Sequence, residues 1–265
     1  MRRWLPALAL ALVFAVPVAA AESDLDLVAL PGGLTWIGDA EGGPDEALHQ
    51  VEVAPFHLMR HEVTNRQFGA FVAATGHRTD AEKHGGGFVW PGRWVWRKGA
   101  DWRHPRGPGS HIDGRDDHPV VQVSQNDALA FCAFHGLRLP SEAEWVHAAR
   151  GVDQRRFAWG DEPPTQSGER RTNFGTVKCC ALDASDGYEH TAPVGAFPAG
   201  RSPFGLEDMT GSVWEWTSII ENGEVIIKGG GFGNNPDGLR IGLRHDNPPD
   251  TPLDMVGIRC AASAF

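Results

Sequence analysis

The chain has 265 residues, 41% of them hydrophobic and 22% charged, with 33 glycines, 19 prolines and a formal net charge of −10. A near-normal apolar fraction excludes a disordered chain, and glycine without a three-residue period excludes a collagen-like one. The excess of acid argues against a nucleic-acid binder.

Arg2 and Arg3 open the chain, residues 4–18 form an apolar run, and Ala19-Ala20-Ala21 supplies small residues before Glu22. This pattern predicts a signal peptide over residues 1–21 that is cleaved to leave one domain, residues 22–265. The run is too short for a comfortable membrane span, and no cysteine marks a lipidation point. An exported protein, periplasmic or secreted and with no membrane segment after cleavage, is the expectation.

Thr64-Asn65 caps a predicted helix over residues 66–75, where Phe68, Phe71 and Val72 recur at helical spacing before Gly76. Ser124 and Asp127 open a second helix, residues 128–135, closed by Gly136. Ser141 and Glu144 form a capping box for a third, bounded by Pro140 and Gly151. Strands are predicted over residues 51–56, 120–123, 225–228 and 256–261. Residues 97–117 are polar, Pro/Gly-rich and carry Trp102, which reads as a long ordered loop. Export permits disulfides. Cys179 and Cys180 are adjacent and close only a strained ring, so Cys132–Cys260 is the expected structural bridge and the doublet is a vicinal disulfide, two buried thiols or a soft-metal site.

Several blocks then follow in a fixed order. They include Pro31-Gly32-Gly33, Glu62-Val63-Thr64-Asn65, Trp102-Arg103-His104-Pro105, His118-Pro119-Val120 and Arg138-Leu139-Pro140-Ser141-Glu142-Ala143-Glu144-Trp145. Phe204-Gly205-Leu206, Val213-Trp214-Glu215-Trp216, Lys228-Gly229-Gly230 and Gly257-Ile258-Arg259-Cys260 complete the set. Over almost the whole chain after the leader, this order resembles the sulfatase-modifying-factor family of the formylglycine-generating enzyme. The resemblance implies an irregular α+β fold related to C-type lectins, with few helices and many short strands. It also implies the Cys132–Cys260 bridge.

That family's oxidase holds copper on two cysteines and exchanges them with a substrate thiol, chemistry that needs soft thiolates. The resemblance puts Asn234 and Leu239 at those two positions, Gly231 at a serine and Met255 at an asparagine. Neither an amide nor an isobutyl group holds Cu(I), so formylglycine generation by the usual route is not expected, and the catalytic residues are left open. Calcium is the better-supported ion, because hard cations take carboxylates and carbonyls. The resemblance implies one structural site from Asn173, Phe174, Asp186 and Tyr188, and a second from Thr210, Gly211, Val213 and Glu215. The plainer alternative has Asp186 capping a turn and Glu215 pairing with an arginine. Copper or iron is left undecided.

His57 and His61 stand four apart, but on an extended segment where they do not converge. His104, His111 and His118 are read as solvated or capping, and Trp90, Trp94, Trp96 and Trp102 in or beside the loop as packing more than platform. Asp237, Arg240, Arg244 and His245 are the candidates for contact with an anion or peptide in the family's groove. Three functions are consistent with these residues. The first is a divergent exported oxidase or maturation factor acting on a periplasmic protein or small molecule, similar to the branch that completes the pyoverdine chromophore. The second is a non-catalytic binding or accessory protein, of the kind found beside copper nitrite reductases. The third is formylglycine generation through a reorganised site at Cys179 or Cys180. Oligomeric state is not encoded in these patterns.

Overall fold

A computed structural model describes residues 25–40, 42–43, 46–165, 168–178 and 181–264. The expected leader, Cys179 and Cys180 lie outside the described residues.

Strand β1 (Leu27–Leu30) and the last strand, β11 (Ala261–Ser263), both pair antiparallel with β4 (Phe56–Met59), so one sheet joins the two ends of the described chain. Strands β2 (Gly33–Ile37) and β3 (His49–Val53) form a separate antiparallel pair. The single strand expected over residues 51–56 is therefore two. Pro55 between them has no N–H for a ladder, and the chain changes sheet there.

The expected helices form: α1 (Asn65–Thr75), α3 (Gln125–Phe134) and α4 (Glu142–Arg150). Each begins with a reciprocal capping box, Thr64 with Gln67, Ser124 with Asp127 and Ser141 with Glu144. A short helix, α2 (Asp80–His84), and the hairpin β5 (Gly86–Val89) with β6 (Val95–Lys98) were not anticipated from the sequence. Residues 120–123 are not a strand. They are a buried connection held by Val120 N–H to Val63 O at 2.9 Å and Gln122 N–H to Leu253 O at 2.8 Å.

The C-terminal half carries the sheet that shapes the candidate site. Strand β7 (Trp214–Glu221) lies between β10 (Val256–Gly257), which is parallel to it, and β8 (Glu224–Lys228), which is antiparallel; β9 (His245–Asn247) extends β8. Asn222 and Gly223, both at positive φ, turn the β7–β8 hairpin, the pairing that such a turn favours.

One apolar cluster packs α1 and α3 against this sheet through Phe68, Phe71, Phe131, Trp216 and Val256. A second packs α4 against β1–β4 through Trp145, Val146, Leu30, Phe56 and Leu58. Cys132 on α3 and Cys260, just before β11, are joined as a disulfide with 5.7 Å between their Cα atoms. The loop it closes spans 128 positions, which in the chain-entropy account is worth about 5 kcal/mol.

Candidate functional site

Glycine opens the space beyond β8. After Lys228 the chain runs Gly229-Gly230-Gly231-Phe232-Gly233-Asn234, and the two positions matched to the family's cysteines follow different fates. The Asn234 carboxamide oxygen accepts the Trp214 indole N–H and the Gly231 backbone N–H, each at 2.9 Å. Leu239 ends a single 3-10 turn (Pro236–Leu239) and is buried with Phe157 and Phe174.

Asn234 borders a groove walled by Trp90, Trp94, Trp214, His245, Asn247 and Met255. Trp90 and Trp94 meet edge to face at 5.0 Å, and Trp214 meets His245 likewise at 5.5 Å. Met255 is almost wholly buried, and its sulfur accepts the Gly233 N–H at 3.2 Å. The surface offers three indole faces, a thioether, an imidazole and two amides, which suits an apolar or planar group. Trp90 also carries a buried indole N–H with no partner in the protein.

Of the four groove candidates, only His245 lines this surface. Arg240 is paired with Asp39, and Glu46 lies 3.7 Å away. Arg244 binds Glu142 at 3.0 Å and Glu221 at 2.6 Å. Asp237 meets Arg156 at 3.3 Å. These ion pairs tie residues 237–244 to distant parts of the chain, so Asp237, Arg240 and Arg244, expected as contacts for an anion or peptide, each already hold an oppositely charged partner. Arg244 and His245 do border a shallow open depression beside the groove.

Sequence reasoning missed Asp254 and the wall position of Trp214. Asp254 is buried between Leu253 and Met255, and both its oxygens accept the Trp90 backbone N–H at 3.1 Å. Burial pushes its carboxyl up to about 7. An acid inside an apolar run was the available signal.

The calcium residues divide into two cases. Asn173 is fully buried, its amide nitrogen donates to the His190 carbonyl, and its Oδ1 has no partner. Asp186 accepts the Tyr188 N–H at 2.9 Å through one oxygen, while its buried Oδ2 also has no partner. Phe174 is buried beside Asn173 in sequence, and Tyr188 meets His118 edge to face at 6.1 Å. Two orphaned oxygens, one amide and one carboxylate, fit a hard cation.

In the second set Glu215 is committed elsewhere. Its oxygens accept Arg259 Nη2 at 2.8 Å, Arg259 Nε at 3.0 Å and the Trp145 indole N–H at 2.7 Å. Thr210 gives its carbonyl to the Thr172 hydroxyl, and Gly211 and Val213 are buried in the same loop. Nearby, Glu62 is wholly buried with neither oxygen hydrogen-bonded, Arg259 lies 3.9 Å from its Oε2, and desolvation raises its carboxyl well above the usual range. Asp208 is pushed up to about 6, also by burial.

The histidines have local partners: His61 with Glu207 at 3.0 Å, His104 with Asp101 at 3.1 Å, His111 with Asp113 at 3.2 Å and His118 with Thr191 at 3.0 Å. Among the described residues no three His, Cys, Asp or Glu side chains converge as a metal-ligand group.

A family model described as the sulfatase-modifying factor enzyme 1-like domain matches residues 13–264. The chain belongs to the sulfatase-modifying-factor family. It is 39% identical to the formylglycine-generating enzyme of Thermomonospora curvata, over 89% of this chain and 93% of that one. It is also 35% identical to the inactive Cα-formylglycine-generating enzyme 2 of Bos taurus, over 91% and 89%. Among solved structures, PvdO from Pseudomonas aeruginosa superposes with a TM-score of 0.69 at 29% identity, covering 90% of this chain and 94% of that one. The irregular α+β fold, with few helices and many short strands, is thus that of the sulfatase-modifying-factor family. Membership does not decide activity, since relatives named as active and as inactive are both similar to it. No helix among the described residues is long and apolar enough to cross a membrane.

Proposed function

We propose that this chain is an exported maturation factor of the sulfatase-modifying-factor family. It binds a periplasmic protein or small-molecule substrate in the tryptophan-walled groove and does not use cysteine-pair copper chemistry. One observation carries the reading: Asn234 lies on the groove as an amide already bonded to Trp214 and Gly231, while Leu239 is core. With an amide and an isobutyl group at those positions, a substrate cysteine meets no thiol partner there. His245 is the exposed titratable group on the groove and would serve any proton transfer. Arg2, Arg3, the apolar run and Ala19-Ala20-Ala21 support export. Asn173 and Asp186, with the Phe174 and Tyr188 carbonyls, would hold a structural calcium that ties two loops together.

The test is aerobic incubation with a Cys-x-Pro-x-Arg peptide and copper, read by peptide mass, alongside metal analysis of the exported protein. The peptide is expected to keep its thiol. Conversion to the aldehyde would overturn the reading and return attention to Cys179 and Cys180. Stoichiometric copper or iron would make the factor an oxidase. A non-catalytic accessory role is the second reading, favoured by similarity to a relative named inactive. Substrate-dependent oxygen consumption separates the two.

A further inference from the structure

A cavity of about 130 Å³ lies between the turn that follows β2 and the end of α4. Asp39, Ala40, Arg150, Gln154 and Arg156 are on its wall, and it shares no lining residue with the tryptophan groove.

Burial singles out one of these side chains. Among the described residues, the lysines and arginines that are almost wholly buried are Arg150, Lys228 and Arg259. Lys228 has Glu142 at 3.4 Å, and Arg259 has Glu215 at 2.8 Å. Arg150, only 2% exposed, has no carboxylate at ion-pair distance among the described residues. Asp39 and Asp153 act on it from further away, and each already holds another arginine, Arg240 and Arg155. A buried charge without a counter-ion is costly, and desolvation accordingly works against the Arg150 cation.

The guanidinium is fixed in place. Nη1 donates to the Trp36 carbonyl at 2.7 Å and the Gly38 carbonyl at 2.9 Å, which uses both of its hydrogens. Nε is buried and has no partner. The Nε–Nη2 edge is left over, and that edge grips an oxyanion through two parallel N–H bonds. The neighbouring turn is held too, by Asp39 N–H to Glu46 O at 2.8 Å and Gly42 N–H to Asp39 O at 3.1 Å. Arg156, partly exposed with Asp237 at 3.3 Å, adds a second positive charge, and the exposed Gln154 adds an amide.

We propose that Arg150 forms the floor of a binding site for a small oxyanion: phosphate, sulfate or the carboxylate of a small acid. Arg156 and Gln154 stand at its mouth. A space of this size takes several waters or one such ion. Asp39 is the one acid on the wall, and Arg240 takes its charge. The site stands apart from the function proposed for the groove and does not depend on it.

Calorimetric titration of the whole exported protein with inorganic phosphate, in chloride at constant ionic strength, tests this, with sulfate and acetate in parallel. Saturable binding of at least one of the three is expected, and their order names the ligand class. Arg150→Lys keeps the charge but loses the two-pronged edge, so it should weaken binding at least about tenfold. Ala40→Glu brings a carboxylate of the chain's own to the cavity and should abolish binding in a protein that melts no lower than the parent. It keeps the test decisive if Arg150→Lys, which gives up contacts to Trp36 and Gly38, fails to fold. Arg66→Gln, which removes an exposed pair with Asp117, should leave binding unchanged. Heats that saturate with none of the three ions, full affinity in a folded Arg150→Lys protein, or binding unaffected by Ala40→Glu would each overturn the proposal.

Discussion

The Met255 side chain occupies the space that a side chain on Gly231 would need. A Cβ at Gly231 would meet Met255 Cγ at 2.4 Å and Sδ at 2.9 Å. The two positions are therefore one packing unit. Gly231→Ser should destabilise the protein by about 1–3 kcal/mol through overpacking. Met255→Ala should cost about 2–5 kcal/mol through the cavity left behind. The double variant should be more stable than the sum of the singles, because the serine enters the vacated space. Denaturant melts of the four proteins measure this coupling, and strict additivity would show that the contact is not formed.

Asp254 sets a pH dependence of stability. Its folded carboxyl lies at about 7 against an ordinary 3.8, with burial as the cause. The folded state thus binds a proton that the unfolded state releases, so the contribution is fully present below pH 3.8 and lost as pH rises through 7. Asp254→Asn cannot ionise and should gain stability over the parent protein across that window, by roughly 4 kcal/mol at its upper end. The difference between the two stability–pH curves isolates this residue from Glu62 and Asp208, which titrate in both proteins. A flat difference curve would place the Asp254 carboxyl in water.

Local signals were legible and long-range ones were not. Ser141–Glu144 was legible as a box and Thr64 as a cap because each acts within four residues, whereas α3 starts at Gln125, three residues before the expected 128. Helix α2 has the same box, Thr79–Glu82, but five residues give too little periodicity to read. Residues 120–123 look like a strand, yet their hydrogen bonds go singly to Val63 and Leu253. The absence of the cysteine pair followed from the family resemblance, which puts Asn234 and Leu239 at the two positions. What replaced it could not be read, since Met255 meets Gly231 only through the fold. The ion pairs of Arg240 and Arg244 were not legible because Asp39 and Glu142 are 201 and 102 positions away.

The buried pair Arg259–Glu215 should behave as a three-body system with Glu62. Arg259 and Glu215 have no exposure to solvent, and Glu62 Oε2 lies 3.9 Å from Arg259. Glu215→Gln removes the main counter-ion of a buried guanidinium, a change worth about 3–5 kcal/mol. Glu62 can then ionise and take part of that role. Glu62→Gln alone should be mild, since desolvation raises the carboxyl it replaces well above the usual range and so disfavours its charge. The double variant should lose more than the two singles together, and a sum equal to the singles would remove Glu62 from the network.

Calcium should stabilise the protein through Asn173 and Asp186 and not through Glu215. The two former residues carry the orphaned oxygens, whereas the Glu215 carboxylate already accepts from Arg259 and Trp145. Chelation should therefore lower the melting temperature, by about 2–4 °C for each kcal/mol of binding linkage lost. Asp186→Asn and Asn173→Ala should abolish the response to added calcium. Glu215→Gln, though less stable at every calcium concentration, should keep the full calcium-dependent increment. Scanning calorimetry of the three variants with and without chelator decides between the sites. A response lost in Glu215→Gln and kept in Asp186→Asn would move the ion to the loop of Thr210, Gly211 and Val213.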